Sequence, residues 1–214
     1  MQTLFCLLPI IIILTLRLLI NNNNDKKNEE AMKSYHAREQ EARFARNKDI
    51  SNIELFVPDL TGLPLHIQEG NKSAFSTDTD IVDAHLEELV ISSSKEPMLN
   101  LQSMSNTDIK LEYGVGNFQT VSKYDQNYLY FTSNVFQWGK YLYDNKLFDD
   151  ARVVLEYVLT LSDNMSLAYT MLGSIYLSQG EIQLITELIH KVETSDSLTG
   201  KSTCNKLRNL INNY

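Results

Sequence analysis

Between residues 132 and 195, apolar side chains recur three or four positions apart, the spacing that puts them on one face of a helix. The stretch VFQWGKYLYDNKLFDDARVVLEYVL begins at Val135, and YTMLGSIYLSQGEIQLITELIHKV begins at Tyr169. Aligning the two starts pairs Val135 with Tyr169, Trp138 with Leu172, Gly139 with Gly173 and Leu142 with Tyr176. The same offset pairs Phe148 with Ile182, Ala151 with Ile185, Leu155 with Ile189 and Val158 with Val192. Each copy predicts two helices joined at Asp144-Asn145 or at Ser178-Gln179-Gly180, where Gly180 can take the left-handed conformation that ends a helix. Gly139 and Gly173 are expected where the two helices of a pair come closest, since a missing side chain lets backbones approach. Trp138, the only tryptophan, is expected to be buried on the face that meets the second helix of its own pair.

Two such units cannot bury their own faces, so neighbours must cover them. After Thr194, Leu207, Leu210 and Ile211 form an apolar stripe while Lys201, Lys206, Arg208 and Asn212 face elsewhere, which predicts a terminal capping helix. Upstream, Pro97 suits a first helical position and Gly114 a helix end, so a short helix is expected within 97–113. Residues 78–92 read as a helix entered through acids and ended by SSSKEP. Pro58, Gly62, Pro64 and Gly70 forbid a long helix in 49–75. The apolar Ile53, Leu55, Phe56, Val57, Leu60, Leu63, Leu65 and Ile67 there predict an extended segment lying against the helical body or a partner. Residues 25–48, with Glu29–Lys33 and Glu39–Arg43 at i,i+4 spacing, predict a solvated helical stalk.

The paired pattern resembles the tetratricopeptide repeat family, and its offset is that family's period. Gly173, Tyr176 and Gly180 match its motif closely, and Ala151 matches the small residue of its second helix. Trp138 is displaced by three positions from the family's aromatic position, and Ile185 departs from the small residue. The resemblance covers residues 132–195. It implies a stack of helix pairs that binds proteins and rarely does chemistry. By the same resemblance a peptide groove would be lined by Phe136, Lys140 and Tyr143 from the first copy and Thr170, Ser174 and Leu177 from the second. Family members that clamp a carboxylate use Lys and Asn where this chain has Phe136 and Lys140, so an apolar or mixed peptide suits the groove better. The stretch SNTDIKLEYGVGNF, followed by KYDQNYLYF and the first copy, also resembles an uncharacterised family of membrane-anchored proteins of Gram-positive bacteria, a match spanning 105–195 that implies no activity.

Residues 4–20, LFCLLPIIIILTLRLLI, carry one charge in 17 positions, the short limit for a membrane-spanning helix. No basic residue precedes the run, and NNNNDKK offers no small-residue cleavage site, which favours an uncleaved anchor over a secretion signal. Basic residues follow the run and none precede it, which places the C-terminal part in the cytoplasm; the opposite orientation stays open. The overall charge is −8, and residues 21–48 hold seven basic and five acidic side chains. Taking away that collar's +2 and Arg17 leaves −11 for residues 49–214. A basic collar suits an anionic inner leaflet, and an acidic body argues against nucleic acid. Two cysteines, Cys6 and Cys204, cannot build a disulfide framework.

Candidate chemistry is sparse. Gly200-Lys201-Ser202 resembles the tail of a phosphate-binding loop, but Ser195 stands where the motif needs glycine and a helix precedes it. Gly114-Val115-Gly116 begins like a dinucleotide fingerprint, but Gln119 replaces its third glycine. Asp78, Asp80, Asp83, His85, Glu87 and Glu88 form the one dense acidic cluster, without the glycine of a calcium loop. The four histidines, His36, His66, His85 and His190, show no ligand spacing. Asn71 and Asn164 fit the glycosylation pattern, which is common by chance.

The sequence therefore predicts a mainly α protein without enzymatic activity, metal or cofactor. Its expected parts are a transmembrane anchor (1–20), a charged stalk (21–48), a Pro/Gly-containing linker with a short helix (49–96) and a tetratricopeptide-like domain (97–214). Its expected role is that of a membrane-anchored interaction or scaffold module with a protein or peptide partner, and the anchor and stalk offer a route to homo-oligomers. The competing reading is an enzyme or metal- or ligand-binding protein that uses Asp78–Glu88, with His85 converging on acids from elsewhere in the fold.

Overall fold

The computed structural model describes Arg17 and residues 25–66, 78–195 and 199–212; the side chains of residues 78–81 are outside this description. The expected span at 4–20 therefore lies outside the described residues except for Arg17, as do Ile67, Gly70 and Asn71. Among the described residues, no helix is long and apolar enough to cross a membrane. The protein is mainly α. Its helices are α1 (25–43), α2 (Asp78–Ser93), α3 (Asn106–Tyr113), α4 (Phe118–Asp144), α5 (Phe148–Leu161), α6 (Ser166–Ser178), α7 (Ile182–Thr194) and α8 (Gly200–Asn212), packed as adjacent pairs. The chain divides into two compact units, residues 1–53 with 101–121 and residues 54–100 with 122–214.

In the first unit, α1 is exposed along most of its length, with the expected Glu29–Lys33 ion pair at 2.7 Å. Its C-terminal part is not a free stalk. Arg38 pairs with Asp108, Thr107 donates to Glu39, and Ala42 is buried. Helix α3 starts one residue after Ser105, whose backbone N–H donates to Asp108 Oδ2 at 2.9 Å while its hydroxyl accepts from the Asp108 N–H at 3.2 Å. This reciprocal cap fixes the start at 106, so the helix expected within 97–113 is shorter than Pro97 suggested. Gly114 ends it at φ +91°, as expected, and a Cβ there would collide with the Asn47 backbone. The Gly114-Val115-Gly116 loop cradles Asn47, whose Oδ1 accepts from the Gly116 N–H at 2.6 Å.

The second unit carries the repeat, and its backbone repeats as closely as its sequence. Helices α4 and α6 end at Asp144 and Ser178, and α5 and α7 start at Phe148 and Ile182, so helix ends and helix starts recur at the offset of the sequence alignment. Both hairpins turn through one left-handed residue, Lys146 at φ +64° and Gly180 at φ +77°. The Leu147 N–H donates to the Leu142 carbonyl at 2.9 Å and the Lys146 N–H to Tyr143 at 3.0 Å. Glu181 and Gly180 repeat this on Tyr176 and Leu177 at 2.8 and 3.0 Å. This is the Schellman arrangement, which satisfies the last carbonyls of a helix. Helix α8 keeps the period at its start: Gly200 follows Ser166, the first residue of α6, by that same offset. It therefore occupies the place of a third first helix, although its sequence has lost the glycine.

The core runs through the whole second unit. Trp138, Phe131, Val135, Val154, Leu155, Ile185 and Leu207 have no exposed surface. Gly139 meets Val154 and Leu155 of α5, as expected. Gly173 does not face α7 in this way: a Cβ there would meet Leu207 and Leu210 of α8, because α8 lies across α6. Residues 54–66 run along the helices without forming one, and the segment expected to be extended turns at Thr61-Gly62, where the Leu63 N–H donates to the Leu60 carbonyl at 3.3 Å. Phe56 pairs with Met98 in an isolated antiparallel bridge and sets its ring edge-on to Tyr128 at 5.0 Å. Leu60, Leu63 and Leu65 pack against the core.

Candidate functional site

The six residues expected to line a groove fall on the two first helices at matched positions of the repeat: Phe136 with Thr170, Lys140 with Ser174, and Tyr143 with Leu177. All six are half-buried. Phe136, Tyr143 and Leu177 pack on the edge of the core, and Tyr143 meets Phe148 edge-on at 5.7 Å. The polar members are engaged locally. Lys140 pairs with Asp144 one turn on, Thr170 donates to the Ser166 and Leu167 carbonyls, and Ser174 donates to the Thr170 carbonyl at 2.9 Å. The surface thus offers aromatic and aliphatic edges with little uncommitted charge, which suits an apolar segment better than a carboxylate.

The acidic cluster is arranged differently from the expectation. His85 is exposed and is not part of any convergence of ligand-type groups among the described residues. His66 takes its place. Asp83 and Glu87 stand one turn apart on α2, and His66 closes on them from the 54–66 segment. The His66 backbone N–H donates to Glu87 Oε2 at 2.8 Å, and its Nδ1 lies 3.0 Å from Glu87 Oε1. Asp83 Oδ1 accepts the Trp138 indole N–H at 2.8 Å, so the buried indole is directed at α2 as well as being part of the core. Glu87 is 1% exposed. The hydrogen bond to Glu87 holds the His66 imidazole above its usual pKa, and Glu87, Asp83 and Asp150 add to this. Burial pushes the Asp83 carboxyl up; the indole bond opposes this and the Glu87 charge adds to it. One atom from each of His66, Asp83 and Glu87 lies within 4.8 Å of the others.

The i,i+4 spacing of Asp83 and Glu87 was visible in the sequence, but nothing marked His66, which lies in a separate, Pro/Gly-interrupted stretch. Sequence reasoning also missed Arg152. Its guanidinium bonds Glu156, Gln179 and Glu181 at 2.8–2.9 Å and covers the Tyr176 ring at 4.9 Å, tying α5 to the turn between α6 and α7. Gly200 and Lys201, at the start of α8, line an open cleft of about 580 Å³ between α7 and α8, and Ser202 does not. Cys204 lines it and is buried, its thiol pushed up by burial. Comparison with known proteins finds no matching family, no matching curated protein and no matching solved structure.

Proposed function

We propose that this chain is a membrane-anchored protein-interaction module built on tetratricopeptide-like helix pairs, with residues 4–20 as its anchor and a cytoplasmic C-terminal body. The observation that carries the reading is the repeat period, held by the helix ends, the left-handed turn residues and the Schellman bonds of both hairpins and continued by α8. A stack of such units exposes matched side chains from successive first helices, a geometry suited to an extended segment or helix of another protein. Phe136, Tyr143 and Leu177 supply apolar contacts and Lys140, Thr170 and Ser174 the polar rim, which favours a partner segment of mixed, mainly apolar character. Self-association through the anchor and the exposed Met32, Tyr35 and Phe44 of the 25–44 region supplies the oligomeric part of the proposal.

The test is photo-crosslinking in membranes with a reactive residue placed at Phe136 or Tyr143, and at the exposed Val153 as control. Adducts with one protein from the two groove positions, lost in a Lys140→Glu/Ser174→Arg variant of unchanged melting temperature, are expected. Adducts from Val153 alone would remove the groove from the proposal. Alkaline carbonate extraction tests the anchor: release of the full chain with peripheral proteins would remove that part.

A further inference from the structure

We infer that His66, Asp83 and Glu87 form a binding site for a divalent transition-metal ion, of the Zn²⁺ class, that clips the 54–66 segment onto α2. The ligand atoms come from two separate elements and converge within 4.8 Å. The Nδ1-to-Oε1 separation of 3.0 Å is close to that of two neighbouring ligands on one small cation, so an ion can replace the proton that now joins them. Two carboxylates one helical turn apart repel each other, and such pairs weaken a helix unless a cation sits between them. Asp150 on α5 adds a weaker electrostatic pull on the same imidazole. A carboxylate as buried as Glu87 is costly unless it is paired or bound to a metal; His66 pairs with it, and a dication would serve both carboxylates at once.

One imidazole and two carboxylates select the metal class. Imidazole suits zinc and other later first-row ions, whereas magnesium and calcium prefer an all-oxygen shell. Three protein ligands leave a coordination position for water on the side where His66 is exposed, its side chain being 61% accessible. The indole bond from Trp138 to Asp83 orients that carboxylate from behind, the kind of outer-shell support that metal sites use. It also gives the site its own reporter, because Trp138 is the only tryptophan.

The experiment uses the full chain in detergent, first stripped with a chelator. Zn²⁺ is titrated while Trp138 emission and melting temperature are followed, and Co²⁺ is added as a visible-absorbing substitute. Expected are a saturable emission change at one equivalent, a rise in melting temperature, a Co²⁺ ligand-field band, and no response to millimolar Mg²⁺. His66→Ala removes an exposed ligand, and its metal-free melting temperature separates any loss of packing from the loss of metal; it should weaken Zn²⁺ binding by at least about tenfold, since even outer-shell losses cost ~10–100-fold. His85→Ala should leave the titration unchanged. The inference is overturned if Zn²⁺ leaves Trp138 emission unaltered, if His66→Ala binds Zn²⁺ as tightly as the parent chain, or if Mg²⁺ reproduces the response.

Discussion

The two helical hairpins α4–α5 and α6–α7 share one backbone and differ in what fills it. Both turn through a left-handed residue at the matched position, but one is Lys146 and the other Gly180. Both carry a glycine at the same place, yet Gly139 gives way to α5 and Gly173 to α8. Ala151 and Ile185 occupy the same position in the second helices and are both fully buried. A repeat therefore fixes turn hydrogen bonds and helix ends more firmly than it fixes side-chain neighbours. Each glycine is explained by its nearest contact, not by its place in the motif.

The largest expected effect separates Trp138 from its counterpart Leu172. Both are buried, so truncation of either removes packing. Trp138→Ala should cost about 3–5 kcal/mol and Leu172→Ala about 2–5 kcal/mol. Trp138→Ala should lie above Leu172→Ala because it also takes the indole donor from Asp83. Denaturant unfolding of the two variants checks this; equal losses would mean that the bond to α2 adds nothing.

A second pair tests the glycines. Alanine at either site gains about 1 kcal/mol of helix propensity, so the difference between the variants reports packing alone. A Cβ at Gly139 would lie 3.1 Å from Val154 and Leu155 side-chain atoms, which can yield slightly, whereas at Gly173 it would lie 2.7 Å from the fully buried Leu207. Gly173→Ala should be the less stable by about 1–2 kcal/mol. The reverse order in thermal melts would mean that α8 is not firmly seated on α6. The two turn residues form a third pair. Lys146→Gly relieves a left-handed non-glycine residue and should stabilise by about 0.5–1 kcal/mol, while Gly180→Ala imposes that strain and should cost about 1 kcal/mol. Matching shifts of one sign would show that the turns are not equivalent in solution.

What the sequence disclosed follows the same division. The hairpins were legible because helical periodicity is local: apolar residues three and four apart and a turn signal define each element without reference to the rest of the chain. The register of α8 was hidden because Leu207 stands where the repeat has glycine, although the helix keeps its phase. The convergence of His66, Asp83 and Glu87 was hidden for a different reason. His66 meets Glu87 from another element, and Trp138 reaches Asp83 from a helix far along the chain; contacts of such separation leave no local pattern. His85 was the nearer histidine in sequence, but it points to solvent on the exposed side of α2.

The smallest expected effect concerns aligned positions Val135 and Tyr169. Both side chains are buried, at 0% and 1% exposure, but Tyr169 carries a hydroxyl that finds no hydrogen-bond partner among the described residues. Burial pushes its pKa up to about 12, with Asp163 and Cys204 adding to the shift. A group whose pKa is higher in the folded chain holds its proton there more tightly. The shift reflects the cost of burying the phenolate, so it leaves stability unchanged below the unfolded value of ~10 and lowers it as the pH rises toward about 12. Tyr169→Phe removes both the unpartnered hydroxyl and this titration. It should be neutral to stabilising by about 1 kcal/mol at pH 7, since a buried polar group without a partner costs that much or more. Its advantage over the parent chain should grow between pH 10 and 12. Urea unfolding of both chains across that range measures the difference directly. A loss of stability in Tyr169→Phe at pH 7 would show that the hydroxyl is bonded in solution, and that the second first-helix is anchored by a polar contact that its counterpart at Val135 lacks.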